Sequence, residues 1–377
     1  MSNRFDKSNR VPENFNDLTV EWLNYSLQKA NIIKKQSIES VEIISLFEKS
    51  KGFIGQLGKL HLTYSNDNQS GPKTMIVKLS SSNPEMREIG QEYSFYSREV
   101  NFYKNIAPNL NMKVPKCYYA AIDSSGEFHV ILLEDLSRFT NGSRVLGCPI
   151  SYAKQVVIEI AQLHASWWNN QQLFTLDWLP DLNTIYEFST APNTFQFVWE
   201  VFKEKAGGIP HDIIAVGDRY SNYVISVSNY LFQTQSRTLI HFDYHLDNLF
   251  FNDTNDQNQI ITIDWQLITR GKGTVDLAFF IGQNLNSKIQ REYETSLIQL
   301  YHQTLLDNGV QHYSLEECFR DYQIALFYHL FGLVYSIGND SFTSEQDRVL
   351  LEYVLPRNIN AIKQQKINTI SFLEDLF

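Results

Sequence analysis

The chain has 377 residues, 43% hydrophobic, 14% aromatic and 20% charged, which gives apolar material for a large core and excludes a disordered chain. A net charge of −10 excludes the basic surface that nucleic-acid phosphates require. No apolar run reaches the ~18–20 residues of a membrane span, and three scattered cysteines, Cys117, Cys148 and Cys318, exclude a disulfide framework or a CxxC zinc site. With the polar start MSNRFDKSNRVPENFN, which reads as no signal peptide, the expectation is a cytoplasmic protein with no nucleic-acid or membrane partner. The charge is uneven. Residues 1–136 hold 16 acids and 16 bases, whereas residues 137–377 hold 26 acids and 16 bases. An acidic C-terminal part either attracts a cationic small molecule or is an ordinary solubilising surface.

In chain order, Asn16 or Asp17 is placed to cap a leading helix near 17–30, where Val20, Leu23 and Leu27 share a face. Alternating apolar residues predict strands at IESVEIISLF, LGKLHLTYS and KTMIVKLS, separated by KSKGFIGQ and by the turn-rich NDNQSGP. One charged helical stretch, PEMREIGQEYSFYSREVNFYKNIA, follows, and then two more strands, KVPKCYYAAID and FHVILLEDL. Beyond residue 150 the pattern turns helical, in YAKQVVIEIAQLHASWW, AVGDRYSNYVISVSNYLF, REYETSLIQLYHQTLL and DYQIALFYHLFGLVYSIG. Two short strand-like runs, LIHFD/NLFFN and QIITIDW, interrupt it. The expectation is an α+β, bilobal protein: a small antiparallel-sheet lobe over 1–136, a larger helical lobe over 137–377, and a ligand cleft between them.

The stretch HFDYHLDN, residues 241–248, crowds two histidines, two aspartates and an asparagine between apolar runs. On an extended strand His241, Asp243 and His245 share a face and can converge on zinc, yet no HExxH or second histidine cluster completes a catalytic set. Phosphoryl transfer asks for less: a carboxylate to orient the attacking hydroxyl, and hard oxygen ligands for magnesium. Asp243, with Asn248 five residues on and Asp264 in QIITIDWQ 21 residues on, supplies that set.

HFDYHLDN followed by IDWQ resembles the H-x-D-x-H-x-x-N motif and metal-binding aspartate of the aminoglycoside phosphotransferase/choline kinase superfamily. IAQLHASWW, GTVDLAFF and VILLEDL resemble elements of its ecdysteroid-kinase-like and choline-kinase-like branch, and together they run from about residue 45 to 280. The resemblance implies a protein-kinase-like fold and an enzyme that moves the γ-phosphoryl group of ATP to a hydroxyl of a small-molecule acceptor. It implies Asp243 as catalytic base or hydroxyl-orienting group and Asn248 and Asp264 as ligands of Mg²⁺. His241 and Asp276 would then support the loop, and Asp247 would be a surface or capping residue.

It also implies a nucleotide-binding N-terminal lobe. Lys78, in the apolar run MIVKLS, would steady the phosphates, paired with Glu85, Glu88, Glu92 or Glu99; the likeness of REVNFYKNIAP to the family's R-E-x-x-F-Y segment favours Glu99 over Glu92. Gly52 and Gly55 would let the phosphate-covering backbone come close, although GxxGxxG departs from the GxGxxG of protein kinases. The backbone at Glu134–Leu136 would serve the adenine. Trp167, Trp168 and Trp265 are candidates for contact with a cationic acceptor. Two rival readings are a nucleotide-binding pseudokinase acting as an interaction module and a metal-dependent hydrolase using His241, Asp243 and His245.

Overall fold

The computed structural model describes residues 10–34, 38–46, 55–65, 71–180, 192–233, 236–252, 259–339, 348–367 and 370–376. It divides into two compact units, Met1–Leu110 with Val114–Phe139, and Asn111–Lys113 with Thr140–Phe377. The fold is α+β, with an antiparallel sheet in the first unit and a mainly helical second unit.

The first unit holds strands β1 (Ile38–Ser45), β2 (Gly55–Tyr64), β3 (Thr74–Ser80), β4 (Cys117–Ile122) and β5 (His129–Glu134), in the order β1-β2-β3-β5-β4 with every pair antiparallel. The period of two decides which face each residue takes. In β3, Met75, Val77 and Leu79 are buried in one apolar cluster with Leu23 and Leu27 of helix α1 (Val20–Lys29), Leu60 of β2 and Leu132 of β5. Lys78 therefore points to the opposite face of the sheet.

The leading helix begins at Val20, capped by Thr19, rather than by Asn16 or Asp17. Asp17 is already used: its carboxylate accepts the backbone N–H groups of Glu13 and Asn14, closing a separate turn over Phe15–Asp17 that Asn14 caps. The single helical stretch expected before β4 is two helices, α2 (Pro84–Glu92) and α3 (Phe95–Asn101). Ser94 breaks them apart with φ 57°, a left-handed backbone that no continuous helix allows.

The second unit contains helices α4 (Ile150–Ser166), α5 (Pro192–Ala206), α6 (His211–Tyr220), α7 (Val224–Phe232), α8 (Thr274–Asn284), α9 (Ser287–Asp307), α10 (Leu315–Gly338), α11 (Leu355–Gln364) and α12 (Ile370–Glu374). Among the described residues five short strands accompany them: β6 (Thr140–Asn141), β7 (Thr238–Ile240), β8 (Leu249–Asn252), β9 (Gln259–Thr262) and β10 (Thr269–Gly271). They form an antiparallel β7–β10 pair and a β6-β8-β9 sheet. AVGDRYSNYVISVSNYLF, read as one helix, is two, α6 and α7, separated at residues 221–223. Helix α8 is buried at every position but Phe279, and α10 presses Leu326, Leu330 and Val334 into the core. No helix among the described residues is long and apolar enough to cross a membrane.

Between α9 and α10 a carboxylic acid lies in the core. Glu294 is wholly buried, the Tyr322 hydroxyl donates to its Oε1 at 2.6 Å, and burial pushes its carboxyl up to about 7. An acid whose folded value exceeds its unfolded value stabilises the fold at low pH and loses that contribution as pH rises through the folded value. Glu294→Gln is therefore expected to match wild-type stability near pH 4 and to exceed it by about 3 kcal/mol at pH 8. Urea unfolding at the two pH values checks this, and equal differences at both would contradict it.

Candidate active site

The loop after β7 is held from below by one carboxylate. Asp276, in the first turn of α8 and fully buried, accepts the backbone N–H of His241 at Oδ2 and that of Phe242 at Oδ1, each at 2.7 Å. Phe242 has φ 71°, a region in which a side chain of its size costs of order 1–3 kcal/mol; charge-assisted hydrogen bonds of this kind are worth about 1.5–3 kcal/mol each and hold it there. His164 of α4 completes the anchor. Its Nδ1 accepts the Tyr301 hydroxyl at 2.8 Å, which leaves the ring proton on Nε2, 3.2 Å from Asp276 Oδ2. Gly273 makes room for this contact, since a Cβ there would lie 2.4 Å from the Tyr301 oxygen and 2.5 Å from His164 Nδ1.

Above the anchor, both nitrogens of His241 are taken. Nε2 donates to the Ile263 carbonyl at 2.9 Å, Nδ1 accepts the Asp243 N–H at 3.2 Å, and the ring packs edge-on against Trp265. His241 therefore has no lone pair for zinc, which overturns the hydrolase reading built on His241, Asp243 and His245. Among the described residues no group of three or more His, Cys, Asp or Glu side chains is placed to hold a metal ion.

Asp243 and Asn248 face each other across the loop. Asn248 Nδ2 donates to the Asp243 carbonyl at 3.0 Å and to its Oδ2 at 3.1 Å. That orientation presents Asn248 Oδ1, with no hydrogen-bond partner among the described residues, as a hard oxygen donor. The hairpin brings the next acid close: Leu249 pairs with Thr262, Ile263 N–H donates to the Asn248 carbonyl at 3.0 Å, and Asp264 is the following residue. Asp264 has φ 63° and ψ 66°, a second strained residue in the same loop pair. An amide oxygen and a carboxylate suit magnesium, which takes oxygen ligands and keeps several waters.

His245 and Arg144 flank Asp243. His245 Nε2 lies 3.4 Å from Asp243 Oδ1 and 3.5 Å from an Arg144 Nη. Arg144 in turn donates its backbone N–H and its Nε to the two carboxylate oxygens of Asp247, at 2.9 and 2.6 Å. Burial alone would raise the Asp243 carboxyl, but the charge and hydrogen bond of His245, backed by Arg144 and His241, outweigh it and hold the group well below the usual carboxylate range. Beyond His245 stands an aromatic wall: Phe279 against His245 and His329, and Tyr328 against Phe242 and Phe232. His329 donates Nε2–H to the Val275 carbonyl at 2.7 Å, and burial pulls it down to about 4, so it stands neutral.

In the first unit, Lys78 Nζ lies 2.7 Å from Glu99 Oε2, with Glu99 2% exposed; of the four glutamates considered, Glu99 is the ion-pair partner. Gly55 opens β2 beside Lys78, and a Cβ there would press to 2.9 Å of the Leu79 carbonyl oxygen. Gly52 lies outside the described residues. Glu134 ends β5 with its carboxylate on Arg138 and the Lys116 N–H, and the buried Leu136 accepts the Phe139 N–H. Trp265 is fully buried with its indole N–H on the Thr262 carbonyl, so it offers no face to a cation; Trp168 packs on Tyr313.

His164, Tyr301, Arg144 and His329 had no role assigned from the sequence. His164 sits in the quoted IAQLHASWW, and its place on a buried helix face was the available signal. The other three come from segments distant in the chain, and only folding brings them to the loop.

The family model for the ecdysteroid kinase-like family matches residues 49–312. Among solved structures, an ethanolamine kinase from Plasmodium vivax is similar at 13% identity over 94% of this chain and 89% of its own, with a TM-score of 0.52, and so has the same fold. A putative aminoglycoside phosphotransferase from Ralstonia eutropha is similar at 14% identity over 90% and 95%, with a TM-score of 0.47. No curated protein sequence matches the chain.

Asp276→Asn keeps the shape of the anchor but turns an NH₂ toward one of the three N–H groups that the carboxylate now serves. A loss of about 3 kcal/mol in urea unfolding is expected; a loss below about 1 kcal/mol, the worth of an ordinary hydrogen bond, would contradict the anchor.

Proposed function

The chain belongs to the ecdysteroid kinase-like family, and from that premise we propose that it is a small-molecule kinase moving the γ-phosphoryl group of ATP to a hydroxyl of a small acceptor. The observation that carries the reading is Asp243: a carboxylate kept ionised within a mostly buried loop and oriented by Asn248, whose own carbonyl accepts the N–H of Ile263, the residue before Asp264. Asn248 Oδ1 and the Asp264 carboxylate are the groups that would hold Mg²⁺, which when bound offsets phosphate charge.

On this reading Asp243 accepts a hydrogen bond from the acceptor hydroxyl and aims its oxygen at the γ-phosphorus; as that oxygen–phosphorus bond forms, the bond from the γ-phosphorus to the β,γ-bridging oxygen breaks, ADP leaves, and Asp243 takes the hydroxyl proton. A carboxylate held so low is a weak base, so alignment contributes more than early proton removal. Lys78, fixed by Glu99, steadies the nucleotide phosphates. His241 and Asp276 hold the loop, and the Glu134–Leu136 backbone serves the adenine. The acceptor is an amine-bearing alcohol. The excess of 26 acids over 16 bases beyond residue 136 supports that choice, as do the half-buried aromatic residues Phe242, Phe279 and Tyr328. Three free cysteines suit a reducing, cytoplasmic setting.

Turnover with MgATP across a panel of amino alcohols and neutral alcohols tests the reading. Asp243→Asn is expected to lower kcat by about 10²–10⁴ while leaving nucleotide affinity within about twofold. Since Asp243 stays ionised well below the usual carboxylate range, it adds no acidic limb to the wild-type rate between about pH 5 and 8. Unchanged turnover in Asp243→Asn, or no phosphoryl transfer to any alcohol, would overturn the assignment.

A further inference from the structure

Helix α11 lies beyond the residues matched by the family model, yet it carries a cation with an unusual set of partners. Arg357 is 7% exposed. Its Nη1 donates to the Arg144 carbonyl and, at 3.4 Å each, to the Gln283 and Asn284 carbonyls, while Nη2 donates to the Val145 carbonyl at 2.9 Å. No carboxylate pairs with it among the described residues. A buried guanidinium served only by carbonyl oxygens is costly unless its several bonds are well made. Two of its acceptors lie at the C-terminus of α8, where the helix dipole favours a cation. The other two lie in the turn that carries Arg144.

Both ends of this fork lead to the catalytic loop. Arg144 clasps Asp247 through two bonds and stands 3.5 Å from His245, whose ring is 3.4 Å from Asp243. Asn284 receives the Leu246 N–H on its Oδ1 at 2.9 Å. The turn itself is seated closely: a Cβ on Gly142 would lie 2.3 Å from the Leu246 oxygen, and Gly147, at φ 73°, would bring one within 3.2 Å of the Asn284 oxygen.

We infer that Arg357 is a positioning residue for phosphoryl transfer, joining the Arg144 turn to the end of α8 and thereby fixing the His245–Asp247 side of the catalytic loop. The inference rests on the reading of Asp243 given above. Its chemistry needs the planar fork of arginine; a lysine brings one point charge and cannot span carbonyls of two segments in the same way.

Hydrogen exchange on the full chain, free of nucleotide and metal, reads the positioning directly. Arg357→Met is expected to speed exchange about tenfold in residues 143–148 and 244–248, with α4 and α9 unchanged. Its MgATP turnover is expected to fall about tenfold or more while KM for MgATP stays within about twofold. Arg357→Lys restores neither. Arg144→Gln, at a part-exposed position that folding tolerates, gives the same change at 244–248 without disturbing 355–364. Exchange that rises evenly through the second unit, exchange at 244–248 that stays put in either variant, or a lysine variant indistinguishable from wild type overturns the inference. Full turnover in Asp243→Asn would instead sink the catalytic reading, and the exchange pattern would still decide what Arg357 holds.

Discussion

The carboxylate of Asp276 is the constraint on which the loop after β7 depends. Two consecutive N–H groups and a histidine ring converge on its two oxygens inside the protein. That charge holds the backbone of Phe242 at φ 71°, while its ring packs against Phe232 and Tyr328. With it, the chain turns sharply after β7, so that His241 points back into the core and Asp243 stands beside Asn248. The buried α8, the ring of His164 and the missing side chain of Gly273 all serve to bring one aspartate under one turn.

Burial alone does not decide what an acid in this protein can do. Glu159 and Glu294 are both pushed up to about 7 by burial, and each keeps one buried oxygen without a hydrogen-bond partner. Asp243 goes the other way because His245 and Arg144 lie against it. The crowding of polar groups in HFDYHLDN, beside apolar flanks, reflects this difference. Three of its four histidines and aspartates have firm partners: Ile263 for His241 and Arg144 for Asp247, both supplied by the fold, and Asn248 within the stretch for Asp243.

Local pattern made much of this legible. Strands with strict alternation, such as MIVKLS, and long amphipathic helices, such as DYQIALFYHLFGLVYSIG, were placed correctly because a period of two or 3.6 is a local property. Interruptions were harder to read. Ser94 and residues 221–223 break apparent helices at positions where no glycine or proline marks the break. Helix α5 and the helices after residue 348 went unpredicted. In the candidate site, Asp243, Asn248 and Asp264 are near one another in the chain, and the β8–β9 pairing brings Ile263, next to Asp264, onto the Asn248 carbonyl. The reach of Arg357 to residue 144, across 213 positions, leaves no trace in the sequence.

A thermal melt with ATP, with and without Mg²⁺, on the wild type and on Asp264→Asn tests the central claim most directly. At 100 times the dissociation constant a bound nucleotide stabilises by about 2.7 kcal/mol. The account predicts a stabilisation that requires Mg²⁺ in the wild type and is lost in the variant. No stabilisation by ATP at millimolar concentration, or a Mg²⁺-dependent shift that survives intact in Asp264→Asn, would contradict it.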